Sequence, residues 1–76
     1  MVTIGDVIKQ LREKAGFSQS VLARKAGIEL GTLQGYEQDR FGPRMIKAAQ
    51  LENALGVPPG TIVKTLLKER KKHGET

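Results

Sequence analysis

The sequence predicts an all-α domain of five short helices, and three observations carry that prediction. Apolar residues recur at helical spacing in successive segments. No run alternates between apolar and polar residues as a half-buried strand would. Glycine or proline stands wherever one periodic segment gives way to the next.

Taken in order, Thr3-Ile4-Gly5-Asp6 has the form of a capping box, and Ile4, Val7, Ile8 and Leu11 follow as the buried stripe of a first helix. Lys14, Ala15 and Gly16 supply a basic last turn and a stop. Ser18 is a suitable N-cap for a second helix running to about Lys25, which Gly27 closes. A third helix is expected from about Glu29 to Gln38, followed by a loop over Asp39 to Gly42. Pro43 suits the first position of a fourth helix, whose apolar residues are Met45, Ile46, Ala49, Leu51, Ala54 and Leu55 and whose end is Gly56. Pro59 can open a fifth helix with the stripe Ile62, Val63, Leu66 and Leu67. The expected organisation is one domain over residues 1–70 and a frayed basic tail over 71–76.

Composition narrows the function. Seventy-six residues make one domain at most, without cysteine for disulfides or thiolate metal sites. That fits a reducing cytoplasm. No apolar run reaches the length of a membrane span, and the N-terminus lacks the form of a signal peptide. The net charge of +5 suggests a polyanionic partner. Its distribution weakens that inference: residues 1–57 hold eight Lys/Arg against six Asp/Glu, while residues 58–76 hold five against two. A terminal run such as KERKK is commonly just solvated. Enzymatic machinery is not evident. His73, in the tail, is the sole histidine; no nucleophile triad, carboxylate cluster or phosphate-binding glycine loop is present, so no cofactor, metal or small-molecule ligand is expected.

Residues 18–38 are the most informative. Ala23 and Ala26 are small where two helices must touch, and Gly27 permits a left-handed turn. Ile28, Leu33 and Tyr36 supply the buried side of the second of these helices. This is the pattern of a helix-turn-helix, which holds one helix out from the body of a domain.

On these residues, together with the runs IKQLREKAGFSQ, LARKAGI and LENALGVPP, the Leu33/Tyr36/Glu37 end of the third helix and Pro43, the chain resembles the Cro/C1-type, phage-repressor-like or XRE helix-turn-helix proteins. The resemblance spans roughly Ile4 to Leu67. It implies a compact five-helix DNA-binding domain, a cytoplasmic and nucleoid-associated protein of prokaryotic or phage origin, and repressor-type binding of operator DNA as a homodimer with the third helix in the major groove. It implies phosphate contacts from Ser18, Gln19, Arg40 and Arg44, and a structural ion pair between Arg12 and Glu37. Arg44, read as lying in the first turn of the fourth helix, runs against the helix dipole there, which favours an anionic partner; two solvated arginines are the plain alternative.

With Leu33 and Tyr36 turned inward, the outer face of the third helix presents Glu29, Leu30, Gly31, Thr32, Gln34 and Gly35 to bases. Among these only Gln34 can pair bidentately with adenine. Thr32 can bond a base or phosphate, and Leu30 can touch a thymine methyl. Glycine costs a helix about 1 kcal/mol against alanine. Gly31 and Gly35 therefore ask for a reason: close approach of the backbone to a partner, or loss of sequence reading. Alanine at either position is expected to stabilise the free protein. The alternative function is a protein-interaction module that keeps the fold, binds another regulator and reads little or no DNA sequence. Dimerisation is expected through helix 5, from Ile62, Val63, Leu66 and Leu67.

Overall fold

The structure, a computed structural model, describes residues 2–65. Leu66, Leu67, His73 and the proposed tail lie outside the described residues. The chain folds as α1 (Ile4–Ala15), α2 (Gln19–Ala26), α3 (Leu30–Glu37) and α4 (Met45–Leu55), followed by α5, helical over 61–65. No strand occurs among the described residues, and no helix there is long and apolar enough to cross a membrane.

Each of α1 to α4 ends in the same way. The residue after the C-cap side of the helix adopts a left-handed conformation, and two backbone bonds fold the chain back onto the last turn. In α1 these are Gly16 N–H to Glu13 and Phe17 N–H to Arg12; in α2, Gly27 to Arg24 and Ile28 to Ala23; in α4, Gly56 to Asn53 and Val57 to Glu52. Phe17, Ile28 and Val57, the residues just past the turns, pack partly buried against the core. In α3 the left-handed position is Asp39, at φ 59°, with Asp39 N–H bonded to Tyr36 and Arg40 N–H to Gly35. An L-residue tolerates this region poorly, and the side chain explains its use here: Asp39 Oδ2 accepts from Thr3 Oγ1 (2.7 Å) and Oδ1 from Gly5 N–H (3.0 Å), so the end of α3 caps the start of α1.

The helix starts divide into two kinds. Thr3 and Asp6 form a reciprocal capping box on α1, and Ser18 Oγ accepts from Val21 N–H on α2. Glu29 and Arg44, the N-caps of α3 and α4, make no side-chain cap bond. This corrects the expected start of α4. Pro43 is buried at N′ rather than helical, and buried Ala48 stands at N4, the two positions that a hydrophobic staple joins. Pro59 likewise does not open α5. It lies in a turn with Gly60 (φ 97°), and the helix begins at residue 61 because its free N–H groups are taken by a side chain from α4. That side chain is Glu52, only 4% exposed. Oε1 accepts from Gly60 N–H (3.0 Å), and Oε2 from Ile62 (2.6 Å) and Val63 (3.0 Å). Burial acts to raise its pKa, but the three backbone donors outweigh it and hold the carboxyl below the usual glutamate value.

The core sits where α2 packs on both α3 and α4 and α1 lies across α3. Ala23, Ala26 and Ala48 allow the close approach; Ile8, Leu22, Leu33, Leu51 and Ile62 fill the space and are fully buried. Two expectations about apolar residues change. Met45 (51% exposed) and Ile46 (74%) project from the first turn of α4, because the stripe facing the core is Ala48, Leu51, Glu52 and Leu55. Ile62 is consumed by the domain's own core, so it is not available to a second copy, and Val63 is half-buried against the same core.

Candidate nucleic-acid interface

A helix that is to be presented outward must be held from behind. Leu33 and Tyr36 bury the inner side of α3, and its C-terminal turn carries Glu37, whose carboxylate joins three elements. Arg12 of α1 donates from Nε to Oε2 (2.7 Å) and from a terminal nitrogen to Oε1 (3.1 Å), while Gln19 of α2 donates from Nε2 to Oε1 (3.1 Å). Arg12 also donates to the carbonyl of Phe17 (2.9 Å). The ion pair is shielded, with 12% of the Arg12 side chain and 3% of the Glu37 side chain exposed. The hydrogen bond to Glu37 holds the Arg12 guanidinium above its usual pKa against the opposing effect of burial. A second tie is backbone packing. Gly5 lies so close to α3 that a Cβ there would stand 2.5 Å from the Tyr36 carbonyl oxygen and 2.7 Å from Asp39 Oδ1.

Because Gln19 is bonded to Glu37, the N-terminus of α2 lies against the C-terminus of α3, where the loop bearing Arg40 and Arg44 begins. Ser18, Arg40 and Arg44 are exposed and Gln19 is half-buried. One Gln19 amide proton remains beyond its bond to Glu37. The helix N-terminus beside it offers backbone N–H groups and partial positive charge, a fit for phosphate. Arg44 is the N-cap of α4 rather than a first-turn residue, so the dipole argument applies at the helix boundary. From Arg40 to Leu51 the chain carries Arg40, Arg44 and Lys47 and no carboxylate. The nearby acids are already engaged: Asp39 with α1, Glu52 with the start of α5, and Glu37 with Arg12 and Gln19.

The outer face of α3 differs from its sequence reading at one point. Glu29, Leu30 (39%) and Gly31 are exposed, and Thr32 and Gln34 are half-buried. A Cβ at Gly31 would meet nothing within 4 Å. Gly35, expected on the same open face, is buried. A Cβ there would collide with the ring of Phe41, standing 2.8 Å from Cε1 and Cε2 and closer still to Cζ. The two glycines thus have different causes: Gly35 makes room for an aromatic ring, and Gly31 is open. Phe41 is itself half-exposed (52%) and meets Tyr36 edge-on, ring centroids 5.6 Å apart at 84°. The sequence offered no local signal for this contact, since Phe41 reads as a loop residue. Gly5 did offer one, as a helical glycine without a stated purpose.

A sequence model of the helix-turn-helix family matches residues 8–62. Over 72 residues the chain is 33% identical to the immunity repressor protein of Bacillus phage phi105, a match covering 92% of this chain and 50% of that protein. The chain spans about half the length of that relative. No solved structure gives a significant match.

Proposed function

The chain belongs to the helix-turn-helix family, and on that premise we propose that it is a DNA-binding transcriptional regulator of repressor type, acting in the cytoplasm with α3 in the major groove of operator DNA. The observation that carries this reading is the fastening of α3 from behind through Glu37, Arg12 and Gln19, which leaves Leu30 and Gly31 open in front. Likeness to a phage immunity repressor supports the repressor assignment. Ser18, Gln19, Arg40 and Arg44 bind phosphates and set the register. Leu30, Thr32 and Gln34 meet base edges, with Glu29 at the rim and Gly31 letting the backbone come close. The regulator binds as a homodimer whose recognition helices reach successive major grooves about 34 Å apart. No cofactor enters this mechanism.

With few base-reading side chains, most of the affinity is electrostatic. Anisotropy titrations of duplexes containing the DNA that flanks its own gene, at about 50 and 200 mM salt, test this directly. Binding should weaken steeply with salt. Arg44→Ala should lower affinity on all sequences alike and flatten the salt slope by about one charge, and Gln19→Ala should lower affinity with equally little sequence preference. Wild-type protein that fails to bind any duplex at the lower salt, or variants that bind as tightly as wild type there, would sink the DNA reading. A second reading, a module that binds another regulator, has the exposed pair Met45 and Ile46 in its favour. It predicts a complex that survives high salt and loses strength on Ile46→Lys.

A further inference from the structure

Phe41 lies outside α3 in sequence yet shares its outward surface. Gly31 and Gly35 are one turn apart and so lie on one face of α3. The first is open, and the second is covered by the Phe41 ring. The ring is held in place from one side by Tyr36, and half of its surface is left to solvent. It is flanked in sequence by exposed Arg40 and Arg44, in a stretch without a carboxylate. A half-exposed phenyl ring, flanked in sequence by exposed cations and seated on the face of a helix already assigned to a DNA groove, is placed for apolar contact within that groove. The major groove offers one strongly apolar group, the 5-methyl of thymine.

We infer that Phe41 is a specificity-determining residue. Its ring supplies the base-facing side chain that Gly35 lacks and reads a thymine methyl at the end of the half-site covered by the C-terminal half of α3. The inference rests on the DNA-binding reading above. It assigns the poor outer face of α3 a reader that comes from the following loop, and it gives Gly35 its purpose, since any side chain there would displace the ring. Leu30, the other exposed apolar residue on α3, lies at the opposite end of the helix and would address a different base pair.

The test uses the full chain and a duplex that the wild-type protein selects from a random-sequence pool. Each thymine is replaced in turn by uracil, which deletes the methyl and leaves the hydrogen-bonding edge unchanged. Affinity is read for wild type, Phe41→Gln and Leu30→Ala, and each variant's fold is checked by circular dichroism and thermal melting. We expect one uracil position to weaken wild-type binding about three- to fivefold, the size of one buried methyl group. Phe41→Gln should be blind to that position, while Leu30→Ala should still sense it. No uracil effect in wild type, or an effect that persists in Phe41→Gln, overturns the inference and leaves the DNA reading standing. If the pool yields no duplex that binds in a salt-sensitive manner, the DNA reading fails first and takes the inference with it. The wild-type uracil series needs no substitution in the protein, so the outcome does not depend on the variants folding.

Discussion

Replacing Glu52 removes the joint between α4 and α5, and the size of the effect follows from its three bonds. The carboxylate is 4% exposed and accepts from Gly60, Ile62 and Val63 N–H at 3.0, 2.6 and 3.0 Å. A hydrogen bond to a charged group contributes about 1.5–3 kcal/mol, and three that share one carboxylate do not add in full, so Glu52→Ala should cost about 3–4 kcal/mol. Glu52→Gln keeps the shape. Its oxygen can serve Ile62 and Val63, but its amide nitrogen then faces the Gly60 N–H donor to donor, and a loss of about 1.5–3 kcal/mol is expected. For a domain whose whole stability is on the order of 5 kcal/mol, the alanine variant is close to unfolding. Urea denaturation followed by circular dichroism measures both. The pH dependence separates this account from a simple packing defect. The folded-state pKa of Glu52 lies below its unfolded value, so in the window between them the unfolded chain binds more protons and stability rises with pH. The contribution is fully present above the unfolded glutamate pKa of about 4.3 and is lost as pH falls through the folded value. The gap between wild type and Glu52→Gln should therefore narrow in acid. A gap that stays constant from neutral pH into acid, or a glutamine variant as stable as wild type at neutral pH, would refute the reasoning.

The remaining predictions concern the mounting of α3. Gly31→Ala should stabilise the protein by up to about 1 kcal/mol, since its Cβ enters open space. Gly35→Ala should show none of that gain, because the Phe41 ring must swing away from Tyr36 and forfeit an aromatic contact of about 0.5–1.5 kcal/mol; equal gains at the two sites would contradict the packing described. Gly5→Ala should destabilise by about 1–3 kcal/mol, because the atom it meets first is the Tyr36 backbone carbonyl, which cannot rotate aside. Arg12→Ala strands the shielded Glu37 carboxylate and should cost about 3–5 kcal/mol, with Arg12→Lys recovering only part of it because an ammonium cannot make the forked contact. A melt unchanged in Arg12→Ala would show the pair to be dispensable.

Local signals in the sequence translated directly into local structure. Thr3 with Asp6, Ser18, and the glycines at 16, 27 and 56 cap or end the helices as their chemistry dictates, and Leu33 and Tyr36 turn inward as their spacing requires. What was illegible depends on partners distant in the chain. Asp39 reads as a turn former, yet its bonds reach back 34 and 36 residues to α1. Phe41 reads as loop, and Gly35 is intelligible only once that ring is seated on it. Glu52 was partly legible: it occupies the helical stripe of Ala48, Leu51 and Leu55, where a charge must find partners or be expelled. The boundaries of α4 and α5 shifted because proline permits a first helical position without enforcing it. At Pro43 a buried ring claimed the residue for packing, and at Pro59 the turn at Gly60 came first.

The mounting of α3 is lopsided. Its C-terminal end is clamped by Glu37, by Asp39 and by the close pass of Gly5, while the side chain of its N-cap, Glu29, makes no cap bond and Gly31 presents no side chain. The two ends are held by different means: side-chain clamps fix the C-terminal end, while the N-terminal end is held by the turn through Ile28 and by Leu33 beneath it. Amide protons should exchange in a gradient along α3, slowest at Tyr36 and Glu37.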